Sequence, residues 1–245
     1  MKPTLYAHRG ASYYAPENTM PAFELAFQMQ ADGIETDVQL TKDQVPVLIH
    51  DENVKRTTNS NGYIKDYTYH ELCQLDAGSW FSPNYAHTPI PTLEDFLTWA
   101  KHKPLYLNIE LKNNKVAYHH IEAIVYEYIS AYQLTNRTTI STFNTNSVVK
   151  LLNYRKNIEI ALLTSRRYRY PIHVAKELGA SALHLKYKLI TPKIVASAYE
   201  QNVKLRLYTV NRPAHIIRSI QYGVDGMFTD VPDQAFYYRD LLYNR

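Results

Sequence analysis

Short β-rich runs alternate with amphipathic helical stretches along the whole chain, and this rhythm limits the available folds more than any single residue does. Candidate strands cover residues 5–8, 34–40, 45–50, 105–111, 138–142, 158–163, 182–185, 203–210 and 226–229. Helical patterns fill most of the gaps. One spans 20–30, with Asn18 or Thr19 as cap and Pro21 in the first turn, and one follows Thr92, whose Asp95 resembles a capping box. Others cover about 116–132, 145–154, 171–178, 192–201 and 213–222. Strand, helix, strand repeated about eight times predicts an α/β fold in which parallel strands close into a barrel. With 245 residues, 45% of them hydrophobic, the chain can build one such domain over 1–245.

Two places break the rhythm. Residues 41–44 are too few for a helix, so their flanking strands should form an antiparallel hairpin. With Asp43-Gln44 as a two-residue turn, Lys42 pairs with Val45 and Asp37 lies opposite His50. Residues 51–88 are rich in Asn, Tyr, Gly and Pro and carry only a short helical piece near 69–75. A loop of that length marks a functional segment or a small insertion after the second strand.

Composition narrows the setting. Lys and Arg number 27 against 23 Asp and Glu, and the excess of +4 is spread along the chain, which argues against a nucleic-acid partner. Cys73 is the single cysteine and reads as a small buried apolar residue. The N-terminal residues lack the apolar stretch of a secretory leader, and no segment is apolar over a membrane-spanning length. A cytoplasmic setting is expected; contact with a membrane surface and the oligomeric state stay open. The 22 tyrosines suggest no particular function.

Ionisable residues stand at strand ends where an apolar core would be expected. Glu35 and Asp37 are two apart on one strand and face the same way; Glu110 and Lys112 repeat the spacing. In a barrel, the C-terminal strand ends line the usual active-site mouth. Three carboxylates converging there need a cation, and oxygen ligands suit Mg²⁺ or Ca²⁺. His8 ends the first strand and His50 returns on the hairpin, so both should lie beside the acids and suit acid–base chemistry. Arg9 and Lys112 supply fixed positive charge for phosphate oxygens. The other histidines, including His119-His120 on a predicted helix and His184 on a strand, read as structural.

These residues fall in a recognisable order. Ala7-His8-Arg9-Gly10-Ala11, Ala15-Pro16-Glu17-Asn18-Thr19, Gly33-Ile34-Glu35-Thr36-Asp37-Val38 and His50-Asp51 resemble the opening signature of glycerophosphodiester phosphodiesterases. The resemblance continues through Ile90-Pro91-Thr92-Leu93-Glu94, Asn108-Ile109-Glu110-Leu111-Lys112 and Tyr208-Thr209-Val210-Asn211. It ends in the run from Gly223 to Pro232. It implies a (β/α)₈ TIM barrel with an insertion after the second strand. It also implies a divalent metal, Ca²⁺ or Mg²⁺, held by Glu35, Asp37 and Glu110. His8 and His50 would be catalytic, with Arg9 and Lys112 on the phosphate. The implied reaction releases an alcohol and sn-glycerol 3-phosphate from a small glycerophosphodiester. By similarity to related phospholipases, the substrate's glycerol hydroxyl attacks phosphorus and water opens the cyclic product, with His8 as base and His50 as acid.

Glu17 and Asn18 match the resemblance in the first loop and are expected to order it beside metal or substrate. Gln44 stands where glycine is usual, and Tyr208, where tryptophan is common, is expected in the pocket wall. Ser165-Arg166-Arg167-Tyr168-Arg169-Tyr170 follows the fifth barrel strand and should sit on the catalytic face. It reads either as a solvated loop with Arg stacked on Tyr or as a basic lip for a larger anionic substrate. Lysophospholipid or polyglycerophosphate hydrolysis, and a barrel that only binds glycerophosphodiesters, are the alternatives.

Overall fold

The computed structural model describes residues 2–243. Eight parallel strands close into a barrel in the order β1 (Thr4–His8), β2 (Gly33–Leu40), β4 (Tyr106–Leu111), β5 (Thr138–Thr142), β6 (Glu159–Thr164), β7 (Ala182–Lys186), β8 (Lys204–Tyr208) and β9 (Gly226–Thr229). Pairing of β1 with both β2 and β9 completes the circle. A ninth strand, β3 (Pro46–Leu48), runs antiparallel to β2. The helices that follow the strands are α1 (Met20–Gln28), α3 (Leu93–Ala100), α4 (Ile121–Ala131), α5 (Thr145–Leu151), α6 (Pro171–Glu177), α7 (Pro192–Gln201), α8 (Pro213–Tyr222) and α9 (Pro232–Tyr243). This is the TIM barrel expected from the alternation. Among the described residues, no helix is long and apolar enough to cross a membrane.

Apolar side chains fill the layer between strands and helices. Phe23 and Phe96 meet there at a centroid distance of 4.8 Å, joining α1 to α3. α3 starts where the sequence predicts, because Thr92 and Asp95 cap each other reciprocally. The barrel interior is more polar than the usual branched aliphatic filling. Arg206 on β8 is buried, pairs with Glu159 at 2.6 Å, contacts His184 Nε2 at 3.1 Å and lies over the Tyr6 ring.

The hairpin register differs by one residue from expectation. Val38 pairs with Leu48, and the Ile49 amide donates to the Asp37 carbonyl at 3.0 Å, so Asp37 lies opposite Ile49 and not His50. The cause is the turn. Thr41 and Val45 flank a three-residue loop, Lys42-Asp43-Gln44, with Gln44 in the left-handed region at φ 64°. Thr41 Oγ donates to Asp43 and accepts from the Val45 amide, which favours this longer loop.

The segment 51–88 builds on that hairpin. Val47 and Ile49 pack with Val54, Ile64, Leu72 and Ala77 in a small apolar cluster, and one short helix, α2 (Tyr69–Leu72), is capped by Thr68. Cys73 is only half-buried at its end, against the expectation of a buried residue. The helix predicted from 116 begins only at Ile121, because Tyr118 turns inward to donate to Gln39 at 2.9 Å. His120 then sits at φ 59° before the helix, so His119-His120 lie on a loop.

Gly10 positions the first catalytic-face loop. Its φ is +80°, and an added Cβ would lie 2.7 Å from the backbone of Ala22 in α1. Gly223, after α8, has a similar φ of +69° with nothing within 4 Å of the same point. Gly223→Ala is therefore expected to cost about 1–2 kcal/mol of conformational strain, and Gly10→Ala distinctly more. Denaturant midpoints of the two variants measure the difference, which is the cost of the backbone contact.

Candidate active site

Three acids converge at the C-terminal mouth of the barrel. Glu35 and Asp37 share one face of β2, and the β2–β4 register sets Glu110 directly beside Asp37. One oxygen from each of the three lies within 4.8 Å of the others, and all three residues are buried. Two cations stand among them. Arg9 donates to Glu17 at 2.9 Å and approaches Asp37 at 3.2 Å; Lys112 donates to Glu110 at 2.8 Å and lies 3.6 Å from Asp37.

The electrostatics follow from burial. Desolvation, with Asp37 alongside, pushes the Glu35 carboxyl well above the usual carboxylate range. Desolvation also opposes ionisation of Asp37, but Arg9 and Lys112 outweigh it and hold this carboxyl well below that range. Asp37 Oδ1 is buried without a hydrogen-bond donor among the described residues. A buried acceptor with no hydrogen bond, 3.6 Å from the Lys112 ammonium and among hard oxygen donors, fits a divalent cation of the Mg²⁺ or Ca²⁺ type.

Each strand-end histidine has one nitrogen tied to a carboxylate. His8 Nδ1 lies 2.7 Å from Asp230 Oδ1, and His50 Nδ1 lies 2.6 Å from Asp51 Oδ1. An ionised carboxylate only accepts, so Nδ1 carries the proton and Nε2 is left for the pocket. Both rings line one cavity of about 280 Å³ with Arg9, Glu35, Glu110 and Lys112. Its opposite wall is Phe143, Leu163, His184, Lys186, Tyr208 and Phe228. Tyr208 lines this cavity. His184 lines the same cavity in addition to its contact with Arg206.

The first loop holds this arrangement. Asn18 donates to Asp37 at 2.9 Å and accepts from Thr36 Oγ and the Asp37 amide. The Arg9 amide donates to Glu35 at 2.8 Å. Glu17 accepts from Arg9 and, through both oxygens, from Arg56 of the inserted segment; Arg56 also donates to Asp51 at 2.6 Å. Burial works against the charged form of Asp51, but Arg56 and His50 bring its pKa down to about 2.

Sequence reading misses Asp230, Arg56 and Lys186. Asp230 accepts from Asn211 Nδ2 at 2.5 Å and Ser12 Oγ at 3.1 Å as well as meeting His8. The signal for it was a carboxylate at a strand end, the same signal that marks Glu35 and Glu110. Burial and Arg9 disfavour the charged His8 ring, but Glu35 and Asp230 outweigh them, so His8 titrates above the ordinary histidine value. The stabilisation from this pairing is full below that ordinary value and disappears as pH rises through the raised one. In metal-free protein, Asp230→Asn should move the His8 ring-proton titration to lower pH. A midpoint unchanged in NMR would show that Asp230 does not act on His8.

The model of the Glycerophosphoryl diester phosphodiesterase family matches residues 8–234. A glycerophosphodiester phosphodiesterase of Caldanaerobacter subterraneus is 41% identical over 233 residues, covering 95% of this chain and 96% of that protein. One from Bacillus altitudinis is 39% identical, covering 97% and 98%. Among solved structures, an Oleispira antarctica phosphodiesterase in complex with the product sn-glycerol-3-phosphate superposes with a TM-score of 0.91 at 29% identity, covering 97% of both chains. By family match and by identity along nearly its whole length, the chain belongs to the glycerophosphoryl diester phosphodiesterase family.

Proposed function

We propose that the chain hydrolyses glycerophosphodiesters to an alcohol and sn-glycerol 3-phosphate, with His8 and His50 as its acid–base pair and a divalent metal held by Glu35, Asp37 and Glu110. The observation that carries this reading is the pair of carboxylate-oriented histidines on one cavity with the three acids. The Oleispira relative's product is the glycerol phosphate named here. When bound, the metal would supply Lewis-acid polarisation of a phosphoryl oxygen and charge neutralisation.

The chain's own residues account for the rest. Arg9 and Lys112 border the acids and offer fixed donors to the remaining phosphoryl oxygens. His8, through Nε2, takes the proton of the attacking hydroxyl as its oxygen bonds to phosphorus. His50 gives its proton to the oxygen of the departing alcohol. With the substrate's glycerol hydroxyl as nucleophile, the first step leaves a cyclic phosphate. Water then opens it with the two histidine roles exchanged, restoring both rings. Asp230 and Asp51 keep the reactive nitrogens aimed at the cavity. Tyr208, with Phe143 at 6.1 Å between ring centroids, forms an aromatic wall for the organic part of the substrate.

Turnover of glycerophosphocholine, glycerophosphoethanolamine and glycerophosphoglycerol tests the reading. His8→Ala and His50→Ala are each expected to lower kcat by about 100- to 10,000-fold. Chelation should abolish activity, and full activity with chelator or in either variant overturns the mechanism.

Metal binding has a separate signature. Desolvation and the neighbouring Asp37 favour the protonated form of Glu35 without a cation, so metal uptake at neutral pH is expected to expel a proton. Titration calorimetry in two buffers of different ionisation enthalpy should show proton release at pH 7 and less of it at pH 9. Equal binding heats in both buffers at pH 7 would show that Glu35 is already ionised before the metal binds, and loss of metal binding in Asp37→Asn tests the triad itself.

A further inference from the structure

The loops after β6 and β7 enclose a second cavity, a cleft of about 460 Å³ on the catalytic face. Arg166, Arg167, Arg169 and Lys193 line it, and no acidic side chain does. None of the four cations is in an ion pair among the described residues, whereas Arg9, Lys112, Arg56 and Arg206 each have a carboxylate partner. Arg169 and Lys193 instead lie over the Tyr170 ring, 5.3 Å and 5.9 Å from its centroid. Ile172, Leu185 and Ile194 form an apolar floor that strengthens any charge interaction above it. Four like charges gathered in one concave site repel one another unless an anion joins them.

The cleft adjoins the active-site cavity. Leu185 lines the cleft and the next residue, Lys186, lines the active site. Lys186 pairs in register with Tyr208, and the basic loop begins at Ser165, directly after β6. Successive strand side chains face opposite ways, so the cleft lies against the outer face of β7 and the active site against its inner face, the two meeting across the end of that strand. Arg9 and Lys112 follow β1 and β4, so a phosphate held by them must send its organic part toward the opposite wall. That wall is where the cleft begins.

We infer that this cleft is a subsite for a second phosphate, and that the preferred substrates are glycerophosphodiesters whose alcohol portion carries a further phosphate group. The inference rests on the phosphodiesterase reading above and adds to it a substrate class. A flat membrane surface fits less well, because the cations line a concavity.

A matched pair of substrates tests it: glycerophosphoglycerol, and the same diester phosphorylated on its distal hydroxyl. The phosphorylated diester should have a kcat/KM about tenfold higher or more, the effect of one good charge-assisted contact. The preference should shrink as salt rises. In Arg167→Ala/Lys193→Ala the ratio should fall toward one, and in Arg167→Glu/Lys193→Glu below one. A ratio of one in the unaltered enzyme, or a ratio the variants leave unchanged, overturns the subsite. Calorimetric binding of the same pair to His50→Ala reads the subsite without turnover. There, tenfold tighter binding of the phosphorylated diester, lost in the cleft variants, supports the subsite even if neither diester is hydrolysed, in which case only the phosphodiesterase reading fails. Co-sedimentation with phosphatidylglycerol vesicles is the remaining arm. Vesicle binding that the cleft variants abolish, with no preference between the two diesters, assigns the cations to a membrane and overturns the inference.

Discussion

Mutual repulsion among Glu35, Asp37 and Glu110 is the constraint around which the catalytic face is arranged. Three buried carboxylates within one ligand's reach of each other are unfavourable unless positive charge surrounds them. The chain answers locally: Arg9 and Lys112 enter the gap, and the Asn18 side chain and the Arg9 backbone amide donate to Asp37 and Glu35. Arg9 takes φ 58° and Asn18 φ 56°, backbone conformations that cost energy outside glycine. The first loop therefore owes its shape to the acids, and Gly10 owes its place to that loop's close approach to α1. A divalent cation at the proposed site would take over part of what Arg9 and Lys112 do, leaving their donors for phosphate.

Much of the site was legible because barrel chemistry follows strand periodicity. Glu35 and Asp37 point together for the simple reason that strand side chains alternate, and Glu110 joins them because sequential strands neighbour each other. His50 was brought to the right neighbourhood by the wrong register. A two-residue turn needs left-handed residues at both central positions or at the first, and of Lys42-Asp43-Gln44 only Gln44, the last, is left-handed. That choice depends on Thr41 bonding across the turn, which no periodicity reveals.

Asp230 was hidden for a different reason. It lies 222 residues from His8, and only barrel closure, β9 pairing with β1, makes them neighbours. The motif containing it was visible, but its partner was not. Arg56 and Lys186 were less accessible still. One sits in an irregular segment without a pattern, and the other ends a strand whose remaining residues read as ordinary core. The helix that begins late, at Ile121, shows the converse: local amphipathicity was present, and a single tertiary bond from Tyr118 to Gln39 overrode it.

Arg56 gives the inserted segment a fixed side and a free side. Its guanidinium grips Glu17, which steadies Arg9, and Asp51, which steadies His50, so two arms of the pocket share one peg. Sequence change along the inner margin of the insertion disturbs both arms at once. The outer loops, anchored by their own cluster of Val54, Ile64 and Leu72, carry no such burden. A substitution on that outer rim leaves the Arg56 contacts, and so the two arms of the pocket, in place.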